Sequence, residues 1–368
     1  MRGVNLGNWL VLEKWMNPQL FADTTAPDET NLCRQLDEPL RRERFRAHRG
    51  TWITERDFAY LANHGFELVR LPIPYFVFGD VEPFIGCIDF VDRAFDWADT
   101  YGISVLVDLH TVPGSQNGFD NGGLAGVCTW HTDQRNVGAA LDVLERVAAR
   151  YAGRDAFWGL EVLNEPISPA LWELIDVPRR YPAAVPAEGE GSGPVPTDVL
   201  FDYYRRAYDR IRAVAPDLRV VFHDGFRIPE LIGFLDGSDF QNITVDTHQY
   251  LMMYTLRAGS RSLDEYVEFV HTAMAAELTE LSAHAPVLVG EWSLDTAVRE
   301  LDQRSLPERR AYYRAIAGAQ LEVFDRAEAW TYWAYKLLDD SPKADYWDLG
   351  RAIELGLFPI GERAATGG

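Results

Sequence analysis

The stretch FWGLEVLNEP (157–166) is a short, largely apolar run that breaks off in an amide, a carboxylate and a proline. Such a run suits a strand covered on both faces, as in a parallel sheet. The same form recurs along the chain. ISVLVDLH (103–110) ends in His110, ITVDTHQY (243–250) in His248 and Tyr250, and PVLVGEW (286–292) closes on Glu291. GFELVRLPI (65–73) carries Arg70, and EAWTYWAYK (328–336) carries Trp333 late in the run. Strands are therefore expected near 4–12, 67–73, 103–109, 158–163, 219–223, 243–248, 286–290 and 328–334.

Helical patterns separate these runs. Val137, Leu141, Leu144, Ala148 and Tyr151 share one helical face, and Tyr266, Phe269, Val270 and Ala273 share another. Eight strand–helix alternations predict an α/β fold, a (β/α)8 TIM barrel, with chemistry gathered at the carboxyl ends of the strands. Residues 1–368 are expected to form a single catalytic domain with long loops on the active face. Residues 13–52 read as a long connection, and 111–134 as a Gly- and Asn-rich loop over that face. The segment 167–197, crowded with Pro and Gly, reads as an insertion loop rather than an interdomain linker.

Composition narrows the classes of partner. The 368 residues are 47% hydrophobic, enough for one large core, and the formal net charge is -21. That acidity argues against nucleic acid, because nothing would neutralise phosphates in bulk. Three cysteines (Cys33, Cys87 and Cys128) are too few and too irregularly spaced for a zinc site or a disulfide framework, so free thiols are expected. No apolar run of about 18 residues suggests a membrane span. No leader precedes the first strand, so a soluble, cytoplasmic protein is expected unless a signal peptide has been removed.

Two strand-end glutamates, Glu165 and Glu291, are the natural pair for glycoside hydrolysis, which needs an acid at the departing oxygen and a carboxylate opposite it. Their separation decides stereochemistry: about 5–5.5 Å permits direct attack with retention, whereas about 6.5–9.5 Å leaves room for a water. Trp333 is placed to provide a flat apolar platform for a sugar ring. No HxH or HExxH spacing appears, so neither a metal nor another cofactor is expected.

Several motifs carry a resemblance across nearly the whole chain. They are GVNLGNWLVLEKWMNPQLF (3–21), LVRLPIPY (68–75), DLHTVPGSQNGFDN (108–121), LNEP (163–166), HQY (248–250), GEWS (290–293), YWAYK (332–336) and LGLFP (355–359). In this order they resemble glycoside hydrolase family 5, most of all its exo-β-1,3-glucanase branch. The resemblance implies a retaining exo-acting β-glycosidase acting on terminal β-glucosides, with a carbohydrate or glycoside as its partner. An endo-acting β-glucanase of the same family and a non-catalytic carbohydrate-binding barrel are the alternatives.

The resemblance also implies roles. Glu165 would be the acid/base, with its pKa held high, and Glu291 the nucleophile, kept ionised by Arg70. Asn164 would donate to the sugar's 2-hydroxyl, Tyr250 would hydrogen-bond Glu291, and His110 and His248 would bind hydroxyls or orient the carboxylates. Glu13 and Trp15 would line the innermost subsite. Asn117, Phe119 and Asp120 would help form the entrance. The branch carries an aromatic opposite Phe119 where this chain has Met253, followed by Tyr254. With the long 167–197 segment, that change falls on the leaving-group side and implies a non-sugar or differently linked aglycone as an option.

Overall fold

The structure is a computed structural model that describes residues 1–339 and 341–359; Asp340 and residues 360–368 of the expected domain lie outside the described residues. Among the described residues, eight parallel strands close into a barrel in chain order. They are β1 (Arg2–Asn5), β2 (Leu68–Pro74), β3 (Ser104–Thr111), β4 (Phe157–Glu161), β5 (Val220–His223), β6 (Ile243–His248), β7 (Val287–Glu291) and β8 (Ala329–Tyr332). Closure comes where β1 pairs with β8, Gly3 opposite Thr331. The (β/α)8 barrel is therefore the architecture.

The period of two along each strand sorts the side chains. Val69, Val105, Val107, Val220, Phe222, Val245, Val287 and Val289 belong to the main core, with helical residues such as Leu141, Leu144 and Ile211. Leu68, Leu106, Val221, Leu288 and Ala329 form a separate small apolar cluster. Two residues further along the same five strands stand Arg70, Asp108, His223, Gly290 and Thr331, all at or near zero exposure or, for Gly290, buried. An apolar layer thus underlies a more polar one along these five strands.

Two expectations change. The first strand was expected to run to residue 12, but it stops at Asn5. Asn8 takes a positive φ of 58°, which turns the chain out of the barrel. Trp9, Leu10, Val11 and Leu12 are fully buried all the same, and Trp9 Nε1 donates to the Arg49 carbonyl at 2.8 Å. Burial without strand pairing explains why an apolar run misled the strand boundary. In the second case, Ala273 is exposed, although it shares helical spacing with Tyr266 and Val270. A π-helical turn over Val270–Met274 inserts one residue, so the buried face continues at Met274 and Leu278 instead.

The long connections carry structure of their own. Within 13–52 lie helices Glu29–Gln35 and Glu38–Trp52, each started by an aspartate cap: Asp28 accepts from the Asn31 amide and Asp37 from the Leu40 amide. Within 167–197, Ser168 caps the short helix Pro169–Ile175, and a second one spans Val177–Arg180. The three cysteines are free and buried. No helix of the described residues is long and apolar enough to cross a membrane.

Candidate active site

Glu165 follows β4, and Glu291 is the last residue of β7. Both are nearly buried, at 7% and 3% exposure. Glu165 adopts a positive φ of 44°, an uncommon conformation for a side chain of its size, and one that concentrates at functional positions. His248 joins the two carboxylates: its Nδ1 lies 2.8 Å from Glu165 Oε1 and 3.5 Å from Glu291 Oε2. Those oxygens therefore cannot be further apart than the two distances combined, which falls below the range of about 6.5–9.5 Å that accommodates an intervening water.

Arg70 is the cation of the site and is completely buried. Its Nη1 donates to Glu291 Oε1 at 2.9 Å and to Asn5 Oδ1 at 3.0 Å. Its Nη2 donates to Asn164 Oδ1 at 2.9 Å, and its Nε and Nη2 grip Glu161 at 2.7 and 3.0 Å. Asp108 lies 3.1 Å from Nη2. Burial would lower the guanidinium's pKa, but Asp108, Glu161 and Glu291 raise it well above the ordinary value. Tyr250 O–H donates to Glu291 Oε2 at 2.8 Å; burial and the charge of Glu291 hold the phenol protonated.

Several buried polar atoms of the site have no hydrogen-bond partner among the described residues, and three of them are Asn164 Nδ2, His110 Nε2 and Glu13 Oε1. Each belongs to a side chain whose other polar atom is fixed. Asn164 Oδ1 is held by Arg70, His110 Nδ1 by Asp108 at 2.6 Å, and Glu13 Oε2 by Trp15 Nε1 at 2.8 Å. Leaving a buried polar group unpaired costs about 1–3 kcal/mol, so three together mark a site prepared for a polar ligand. Burial and the charge of Asp120 push Glu13 well above the ordinary carboxylate range. In its protonated form it can both donate to and accept from hydroxyls. Trp333 stacks on His110 with ring centroids 5.5 Å apart and planes 9° from parallel.

The electrostatics run opposite to the expected order. Burial works to raise Glu165, but the hydrogen bond and charge of His248, then Asn121, bring it below the ordinary value. Glu291 is raised by burial against the pull of His248 and Arg70. The cause is the position of His248. Burial would lower its pKa, yet Glu291, Asp246 and Glu165 lift it well above, so the imidazolium pairs with the carboxylate it approaches most closely.

Other residues refine or correct the sequence reading. Asn117 is fully buried, and its amide is spent inside its own loop, bonding Asn121 Oδ1 and the Phe119 amide; it shapes the entrance without facing it. Asn121 reaches the site instead and donates to Glu165 Oε2 at 2.9 Å. Phe119 packs against Tyr181 of the 167–197 segment, centroids 5.3 Å apart. Trp347 packs on both Trp15 and Tyr250. Glu161, Asp108 and Asp246 also escaped notice, though a lone acid within a buried strand is a readable signal. Asp246 accepts the Gly290 amide at 2.7 Å, and a Cβ on Gly290 would come within 2.0 Å of its carboxylate, which accounts for glycine beside Glu291.

Glu165, His223 and His248 bring donor atoms within 4.8 Å of one another, as do Glu161, Asp246 and His248. The donor chemistry suits an ion poorly. His223 Nδ1 already accepts the Gly225 amide at 2.8 Å, so its Nε2 carries the proton, while Glu161 and Asp246 serve Arg70 and Gly290.

Beside Glu165, His248 and Tyr250 opens a cavity of about 720 Å³. Glu13, Trp15, Arg70, Asn164 and Trp333 are not among its walls, so it lies to one side of the carboxylate pair.

The chain is 31% identical to a probable glucan 1,3-beta-glucosidase A of Aspergillus terreus, covering 98% of this chain and 88% of that one. It is 33% identical to a glucan 1,3-beta-glucosidase of Kluyveromyces lactis at the same coverage. In fold it resembles a rutinosidase from Aspergillus niger, with a TM-score of 0.77 and 24% identity over 97% of both chains. The family model described as cellulase (glycosyl hydrolase family 5) matches residues 37–336. With a family match over most of its length and full-length relatives of this identity, the chain belongs to glycosyl hydrolase family 5 and is a glycoside hydrolase.

Proposed function

We propose that this protein is a retaining, exo-acting β-glycosidase that removes terminal glucose from β-glucosides, β-1,3-glucan oligosaccharides among them. Glu291 acts as nucleophile and Glu165 as acid/base. The observation that carries the reading is the single imidazole nitrogen within 3.5 Å of both carboxylates, which supports a spacing suited to direct attack. The names of the curated relatives support the glucoside preference.

In the first half-reaction Glu291 Oε attacks the anomeric carbon, the bond to the leaving oxygen breaks, and a proton from Glu165 goes to that oxygen. In the second, water attacks the same carbon, the ester to Glu291 breaks, and Glu165 takes the water's proton. Glu165 must therefore begin protonated. His248 Nδ1, 2.8 Å away, can supply that proton, so the pair holds the acid form within one transfer. Once His248 is neutral, Arg70 and Tyr250 keep Glu291 ionised. The free Nδ2 of Asn164 suits the 2-hydroxyl, whose bond tightens as the oxocarbenium develops.

Exo action is supported by Glu13, 3% exposed and tied to Trp15, which would cap the nonreducing end. The test is the early product of a β-1,3-glucan oligosaccharide followed by NMR. Only glucose, appearing first as the β-anomer, is expected. Mixed oligomers at early times would reject exo action, and α-glucose as first product would reject retention.

A further inference from the structure

We infer that the leaving-group side of the site is built for a flat, multi-ring phenolic aglycone rather than for a second sugar; this rests on the hydrolase reading above and sharpens its substrate. The cavity of about 720 Å³ beside Glu165 falls within the roughly 300–1,000 Å³ typical of pockets that enclose drug-sized ligands. Its walls are mostly apolar: Leu171 and Ile175 come from the 167–197 segment, Phe226 and Ile228 follow β5, and Met253 and Met274 follow β6.

A second glucose would be gripped by paired aromatics and by polar groups distributed around its ring. Here the clamp is incomplete. Phe119 and Met253 line the same cavity, and Tyr254 spends its ring face on Phe269, stacked at 3.8 Å with planes 2° apart. Methionine instead fits flat apolar surfaces of irregular outline.

Several polar groups of the cavity are tied to one another in a connected run. Thr247 Oγ1 donates to Asp224 Oδ2 at 2.7 Å, and Gln249 Nε2 donates to Thr247 Oγ1 at 3.0 Å and to Glu277 Oε1 at 2.5 Å. The guanidinium of Arg227 is occupied by the carbonyls of Gly225, Val195 and Pro166. Asp224 is likewise occupied, by Thr247 and the Phe226 amide, whereas the carboxyl groups of Glu230 and Glu277 line the walls along with Arg257. Phenolic hydroxyls are the donors that a mostly apolar ring system can bring to the Glu230 and Glu277 carboxyl groups.

The experiment measures kcat/KM of the full chain on a flavonol β-glucoside, a steryl β-glucoside, the β-1,3-linked glucose disaccharide and methyl β-glucoside. The flavonol glucoside should exceed the disaccharide and the steryl glucoside by tenfold or more. Ala273→Trp, which fills the cavity from its exposed rim, should lower the flavonol-to-methyl ratio by at least tenfold. Met253→Phe should shift preference toward the disaccharide. Preference of the wild type for the disaccharide or the steryl glucoside, or ratios unmoved by both variants, would overturn the inference while leaving the hydrolase reading intact. Absence of turnover on all four would instead reject that reading, and this one with it.

Discussion

Replacing Tyr250 by Phe isolates how Glu291, the proposed nucleophile, is kept ionised. Glu291 receives two close hydrogen bonds, from Arg70 Nη1 at 2.9 Å and from the Tyr250 hydroxyl at 2.8 Å, with His248 more distant at 3.5 Å. The substitution removes one donor and keeps the ring that packs on Trp347. A hydrogen bond to a charged group contributes about 1.5–3 kcal/mol, and one pKa unit corresponds to about 1.36 kcal/mol, so the loss amounts to about 1–2 units. Burial already raises the Glu291 carboxyl, and removing a donor to its ionised form raises it further. Activity needs the carboxylate, so it is lost as pH falls through that pKa. The acid limb must therefore move to higher pH. The assay is the pH profile of kcat/KM on an activated aryl β-glucoside, where proton donation to the leaving group matters least. Its acid limb reports the coupled Glu165–His248–Glu291 group rather than one residue. A limb that stays within about 0.3 unit of the wild type would refute the idea that Tyr250 holds Glu291 ionised.

Other outcomes follow from the same geometry. Glu165→Ala should slow a disaccharide about 100-fold or more beyond its effect on a dinitrophenyl β-glucoside, because only the poor leaving group needs the proton; equal losses in kcat/KM would reject the acid/base role. Asn164→Ala should cost about 100-fold in kcat on a β-glucoside, as expected for loss of one donor to a developing charge, yet little more on the 2-deoxy analogue, which lacks the partner. Gly290→Ala should destabilise the fold by about 1–3 kcal/mol or more in urea unfolding, since its Cβ would collide with the Asp246 carboxylate; an unchanged midpoint would show that the strand can shift. Asn121→Ala, which removes one hydrogen bond from Glu165, should raise the basic limb of the pH profile. A fall in that limb would mean Asn121 does not favour the ionised form.

The barrel and the two glutamates could be read without coordinates because both leave local traces. Apolar runs of strand length alternate with helical spacing, and each run that matters ends in a polar residue: His110 on β3, His248 on β6 and Glu291 on β7, with Asn164 and Glu165 just past β4. The misreadings were also local in origin. Leu10 to Leu12 look like strand because they are apolar, but they are buried past the end of β1 without strand pairing. Ala273 fits a 3.6-residue period that the π-turn at Val270–Met274 interrupts. Asn117 and Asn121 are chemically alike in one loop, and only the fold decides which of them meets Glu165.

Composition and period by themselves determined that eight strands would bury their middles and present their ends. That follows because side-chain direction repeats every two residues in a strand and every 3.6 in a helix, whatever the rest of the chain does. Which carboxylate is pushed up and which is pulled down was decided only by the folded structure. That outcome depends on a histidine 83 positions from Glu165 arriving at 2.8 Å, and on five buried partners converging on one guanidinium. Coulomb and hydrogen-bond energies change steeply over such distances in a water-poor interior, and no pattern along the chain records them.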